Sequence, residues 1–142
     1  MGRKAVGFGI VAAAFGMGAS PSIAGQYEFL AAPQINLTLV YRLDKQTGEV
    51  IACKFAFNSG RSDVGPGGFG VTACFRAGDG ATKQDLGEYG LVATHNEQEG
   101  GVFRVDYRTG GLSACYLYVQ REKQGDHEAV ADQYVVCTPE WK

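Results

Sequence analysis

Residues 27–57 of this chain align without a gap with residues 89–119, at a constant offset of 62. Nine of the 31 aligned positions are identical: Tyr27/Tyr89, Ala31/Ala93, Val40/Val102, Arg42/Arg104, Asp44/Asp106, Thr47/Thr109, Gly48/Gly110, Ala52/Ala114 and Cys53/Cys115. Ordinary residue frequencies would give about two. A self-match at long period constrains a fold more than any local signal. The chain reads as one β-hairpin unit written twice.

Each copy reads as strand, turn, strand. Leu37, Leu39, Tyr41 and Leu43 alternate with Thr38, Val40, Arg42 and Asp44, a period of two that gives one apolar and one mixed sheet face. Asp44 is placed to accept hydrogen bonds from amides two or three residues on, which closes a tight turn. Gly48 supplies a positive φ where the return strand begins. Asp106 and Gly110 repeat the arrangement.

The strand–Asp-x-x-Thr-Gly–strand piece, Val40 to Cys53 and again Val102 to Cys115, resembles the blade repeats of quinoprotein-type β-propellers. In those blades the return strand ends in Trp, where this chain carries Cys53 and Cys115. The resemblance implies a blade-like antiparallel meander. It does not carry over a quinone cofactor or dehydrogenase activity, because a propeller needs four or more blades and this chain has two copies.

The first residues read as an export signal. Arg3 and Lys4 precede an uncharged, mostly small and apolar run from Ala5 to Ala19, and Ser22-Ile23-Ala24 has small residues where a signal peptidase looks. Cleavage is expected after Ala24, leaving a mature domain of residues 25–142 made of two repeats, 26–76 and 88–138. The competing reading, a membrane anchor, needs a longer apolar run than these 15 glycine-interrupted residues. Removing Arg3 and Lys4 leaves 11 basic against 15 acidic residues, a net charge of −4. No basic stripe is present, which argues against nucleic acid as a partner.

All four cysteines follow the signal, and an even count behind an export signal implies disulfides. Of three pairings, the repeat selects Cys53–Cys74 and Cys115–Cys137, spaced by 21 and 22 residues. Four thiolates on zinc is the alternative, but close Cys-x-x-Cys pairs are lacking.

Strands are expected at 26–31, 37–44, 49–57, 70–76, 88–94, 102–106, 111–119 and 130–138. Loops are expected at 58–70, 77–87 and 95–101, and the charged run Gln120–Glu128 as an exposed connection. No segment after the signal has a helical period, so the fold class is all-β: two tandem antiparallel meanders forming a small sandwich or barrel, stabilised by disulfides.

Few residues suggest chemistry. Gly65-Pro66-Gly67-Gly68-Phe69-Gly70 matches G-x-G-x-x-G, but a strand follows it where a dinucleotide site needs a helix. His95 and His127 lie in polar stretches beside acidic residues, without a nucleophile motif. Asp44 and Asp106 belong to turns, and Glu97, Glu99, Glu122 and Asp126 read as solvated charges. Asn36-Leu37-Thr38 is a glycosylation sequon, relevant only in a eukaryotic secretory pathway. No catalytic, cofactor or metal residue is assigned. Four residues form the candidate binding surface: the repeated Arg42 and Arg104 on the mixed strand face, and Tyr116 and Tyr118, which replace Lys54 and Ala56 of the first copy. For the arginines the competing role is to fix the hairpin, and for the tyrosines burial between the copies.

The expected function is an exported, non-catalytic binding or accessory module of the bacterial cell envelope, secreted or periplasmic, with a protein or glycan partner. The alternatives are a small extracellular hydrolase built on scattered carboxylates or on His95 and His127, and a structural protein that self-assembles through exposed strand edges.

Overall fold

The computed structural model describes residues 25–56 and 70–142. The stretch expected to be an export signal and the glycine-rich stretch from Asn58 to Phe69 lie outside the described residues. Eight strands follow in chain order: β1 Tyr27–Ala31, β2 Leu39–Asp44, β3 Val50–Ala56, β4 Val71–Phe75, β5 Tyr89–Ala93, β6 Val102–Asp106, β7 Leu112–Gln124 and β8 His127–Cys137. They form two four-stranded antiparallel sheets in simple meander order, β1-β2-β3-β4 (sheet 1) and β5-β6-β7-β8 (sheet 2). The sheets lie face to face and do not close into a barrel. No helix is present among the described residues.

The pairing register recurs at the sequence offset. Tyr27 opposite Asp44 becomes Tyr89 opposite Asp106, and Val40 opposite Cys53 becomes Val102 opposite Cys115. The turns recur too. Asp44 Oδ1 accepts from the amides of Gln46 at 2.9 Å and Thr47 at 3.1 Å, and Asp106 Oδ1 from those of Arg108 at 2.9 Å and Thr109 at 3.4 Å. The Gly48 amide donates back to the Asp44 carbonyl, and Gly110 to Asp106, both at 2.8 Å. Gly48 and Gly110 have φ of 68° and 76°, a left-handed conformation in which a side chain would be strained.

The disulfides are Cys53–Cys74 and Cys115–Cys137, the pairs expected from the spacing, each joining directly opposed residues of neighbouring strands. They point to a protein outside the reducing cytoplasm. No helix of the described residues is long and apolar enough to cross a membrane.

The two sheets turn opposite faces to the interior. In β2 the buried residues are Leu39, Tyr41 and Leu43 on the inner face, together with Asp44 in its turn, while Val40 is exposed and Arg42 half-buried. In β6 they are Val102, Arg104 and Asp106, while Phe103 is exposed and Val105 half-buried. Tyr27 is 45% exposed and its aligned partner Tyr89 only 6%. Cys115–Cys137 is buried in the core, whereas Cys74 is exposed and Cys53 half-buried on the outer side of sheet 1. Two meanders of the same register are thus stacked in the same sense, the inner face of sheet 1 on the opposite face of sheet 2. The core is Leu39, Tyr41, Leu43 and Val50 from one side against Leu91, Val102, Cys115 and Val135 from the other.

The β8 edge is covered, and the C-terminus extends the sheet beside β7. The backbone after β4 runs along β8, with a parallel bridge between Ala77 and Val135, and the C-terminal Trp141 pairs with Leu112. The expected connection at 120–128 is instead the tip of a long hairpin. Strands β7 and β8 continue past an irregularity at Gln120/Arg121 and close through Gly125-Asp126, with Gly125 at φ 65°. Positive φ at the first loop residue alone fits a type II′ turn. Residues 121–128 are exposed on both faces, so no apolar alternation marks them as strand.

Candidate functional site

The paired arginines do different work. Arg104 is 5% exposed. Its Nη1 donates to the carbonyls of Gly48 at 2.9 Å and Gly80 at 3.0 Å, and Nη2 to Ser113 Oγ at 3.4 Å. It is a buried cation that ties sheet 2 to the β2–β3 turn. Burial pushes its pKa down, against the opposing pull of Tyr89 and Glu140, and a guanidinium remains charged regardless. Arg42 points outward, its guanidinium 4.8 Å above the Tyr27 ring. Each arginine lies on the mixed face of its own strand, but that face turns outward in sheet 1 and inward in sheet 2.

Tyr116 and Tyr118 are each 43% exposed, on the outer face of sheet 2, and not buried between the sheets. The Tyr118 ring packs at a tilt against Tyr134, centroids 5.4 Å apart. Tyr116 borders a cleft of about 500 Å³ where the two sheets part, at the end where β2 and β6 begin. Leu37 and Leu39 line it from sheet 1, Val102 and Leu117 from sheet 2, and its polar groups include Gln34, Thr94 and Glu99. Beneath it Tyr41 is fully buried and donates its hydroxyl to the Gly100 carbonyl at 2.6 Å. Burial pushes the Tyr41 pKa up to about 12, partly offset by a hydrogen bond with the Leu117 backbone. The amide of Ile35 donates to the Glu97 carbonyl at 3.1 Å, so the segment before β2 is tied to the loop before β6. Periodicity marked Leu37 and Leu39 as one apolar face, but nothing in the sequence marks where two sheets diverge.

A smaller polar recess of about 140 Å³ is lined by Tyr89, Arg104 and Arg108 together with Asp85, Asp106 and Glu140. Two of its carboxylates, Asp106 and Glu140, are engaged. Burial alone would raise the Asp106 pKa, but hydrogen bonds from the Arg108 amide and from Thr109, with the Arg108 charge, hold it below its ordinary value. Glu140 accepts from Thr109 Oγ1 at 3.2 Å and faces Lys142 Nζ at 3.6 Å. A general acid needs a raised pKa, and Asp106 has the reverse.

His95 is an exposed loop residue with φ 57°, and His127 is exposed at the hairpin tip. Among the described residues no group of three or more His, Cys, Asp or Glu side chains is placed to hold a metal ion. The chain matches no protein-family model, no curated protein sequence and no solved structure.

Proposed function

We propose that the protein is an exported, disulfide-stabilised, two-repeat binding module of the bacterial cell envelope, and that it acts without catalysis. The observation that carries this is the apolar cleft between the sheets, bordered by Tyr116 and floored by core residues that two cross-linked meanders hold in place. Concave, mostly apolar sites with a few polar groups are the usual form of a binding site. Leucine and valine lining suits an apolar side chain of a protein partner. A sugar would bring hydroxyls that need paired donors and acceptors. The hydrolase alternative, on scattered carboxylates or on His95 and His127, has less in its favour: the Asp106 carboxylate in the polar recess is committed to its turn, and the two histidines are exposed, one in a loop and one at a hairpin tip.

The test is retention from solubilised envelope on the immobilised protein, wild type against Tyr116→Asp. Tyr116 is exposed enough for the variant to fold. The expected result is a protein band that survives glycosidase treatment and is lost with the variant. Equal retention by both, or none by either, would sink the proposal.

A further inference from the structure

We infer that copies of this chain associate head to tail, the outer face of sheet 2 in one copy packing on the outer face of sheet 1 in the next. This goes beyond the partner reading and rests on the interface inside the molecule. That interface joins two unlike faces. Sheet 1 contributes Leu39, Tyr41, Leu43 and Val50, and sheet 2 contributes Tyr89, Leu91, Val102 and Arg104. At the offset of 62, the outer face of sheet 1 carries the counterparts of sheet 2's buried set: Tyr27, Phe29, Val40 and Arg42. The outer face of sheet 2 carries counterparts of sheet 1's buried set, among them Phe103, Val105 and Leu112. Both outer faces are therefore apolar where a lone sheet should be polar. Phe29 is 65% exposed, Val40 39%, Phe103 38% and Leu112 37%.

Particular contacts carry the same logic. Inside the molecule the Tyr89 ring lies against Gly48, 3.1 Å from where a Cβ would stand, and Arg104 donates to the Gly48 carbonyl at 2.9 Å. Their counterparts Tyr27 and Arg42 are stacked together on the outer side of sheet 1. The counterpart of Gly48 is Gly110, which has the same left-handed φ and open space around it. Tyr27 and Arg42 of one copy would cover Gly110 of the next as Tyr89 and Arg104 cover Gly48. The outer face of sheet 1 also holds a shallow apolar depression of about 500 Å³, lined by Phe29, Ala31, Val40, Cys53 and Thr72 among others. Phe103 of the next copy, the counterpart of the core residue Tyr41, is the side chain that fills it.

Such a contact is heterologous: it uses two different patches, so copies add in one direction until a ring closes or a filament grows. The test uses the protein as exported, with disulfides intact, in sedimentation velocity across a concentration series. The variants are Phe29→Glu and Phe103→Glu, each on an exposed site outside the core. Wild type is expected to form species larger than a monomer, and each variant alone to be monomeric. An equimolar mixture of the two variants is expected to give a one-to-one dimer and nothing larger, because each retains the face the other lacks. A wild type that is monomeric at every concentration, either variant assembling like wild type, or a mixture that stays monomeric would overturn the inference. The partner reading is judged by a band retained from envelope and this one by sedimentation of the purified protein alone, so failure of one is distinguishable from failure of the other.

Discussion

Replacing Arg104 with Met should destabilise the protein far more than replacing Arg42 with Met, although the two residues occupy aligned positions. Met keeps most of the apolar stem and removes the donors. At Arg104 this strips two carbonyls, Gly48 and Gly80, of a charged donor at 2.9 and 3.0 Å. Gly48 is buried, whereas Gly80 is exposed and water can replace its partner. An unsatisfied buried acceptor costs about 1–3 kcal/mol, and a hydrogen bond to a charged group contributes about 1.5–3 kcal/mol. Relief of the cation's own desolvation offsets part of this. The net loss should be about 2–4 kcal/mol. At Arg42 only a half-exposed cation–π contact with Tyr27 is lost, about 0.5–1 kcal/mol. Urea denaturation at a dilution where the protein is monomeric measures both, with disulfides intact. In thermal melts the Arg104 variant should fall by roughly 10–20 °C and the Arg42 variant by less than about 5 °C. Equal losses at the two sites, or an Arg104 loss below about 1 kcal/mol, would refute the reasoning that one arginine ties the sheets and the other faces water.

Further outcomes follow from the same structure. Mild reductant under native conditions should open Cys53–Cys74 before Cys115–Cys137, because the first lies on the outer face and the second in the core; alkylation and peptide mapping give the order. Asp44 sits in the same kind of turn as Asp106. Burial alone would raise its pKa, but hydrogen bonds from the Gln26 side chain and the Gln46 and Thr47 amides hold it below the ordinary value. A lowered folded-state pKa contributes stability that is present above the unfolded value and lost as pH falls through the folded one. Melting temperature should therefore hold near neutrality and drop below about pH 4, the ordinary carboxylate value, with a shallower acid limb in Asp44→Asn/Asp106→Asn. Tyr41→Phe leaves the Gly100 carbonyl without its donor and should cost about 1–2 kcal/mol in urea denaturation. The ion pair of Arg76 with Asp132, both side chains largely exposed, should contribute under about 1 kcal/mol, so Asp132→Ala should melt close to wild type.

The strands and cross-links were legible in the sequence because they depend on local chemistry. Asp-x-x-Thr-Gly sets the turn, and the turn sets the register that places Val40 opposite Cys53 and Val102 opposite Cys115; the matched cysteine spacings of 21 and 22 residues marked the cross-links. Which face of each sheet turns inward was not legible. Period-two alternation distinguishes two faces without ranking them when both carry apolar residues. In β6 one face offers Val102 and the other Phe103 and Val105. Packing against sheet 1 chose the face with Arg104, because the β2–β3 turn supplies a carbonyl for its charge. Nor was the long β7–β8 hairpin legible. From Arg121 to Glu128 it is polar on both faces, so its strands are specified by backbone pairing and by Gly125 and not by a hydrophobic pattern. The cleft at Tyr116 lies where two sheets diverge, a property of their packing that neither hairpin carries alone.

The reversed facing of the aligned strands is the claim on which the rest depends. Hydroxyl-radical footprinting of the monomer, read residue by residue by mass spectrometry, tests it directly. Tyr27 and Phe103 should be modified, at 45% and 38% exposure, while their aligned partners Tyr89 and Tyr41, at 6% and 0%, are protected. Equal modification of Tyr27 and Tyr89, or protection of Phe103 with modification of Tyr41, would contradict it.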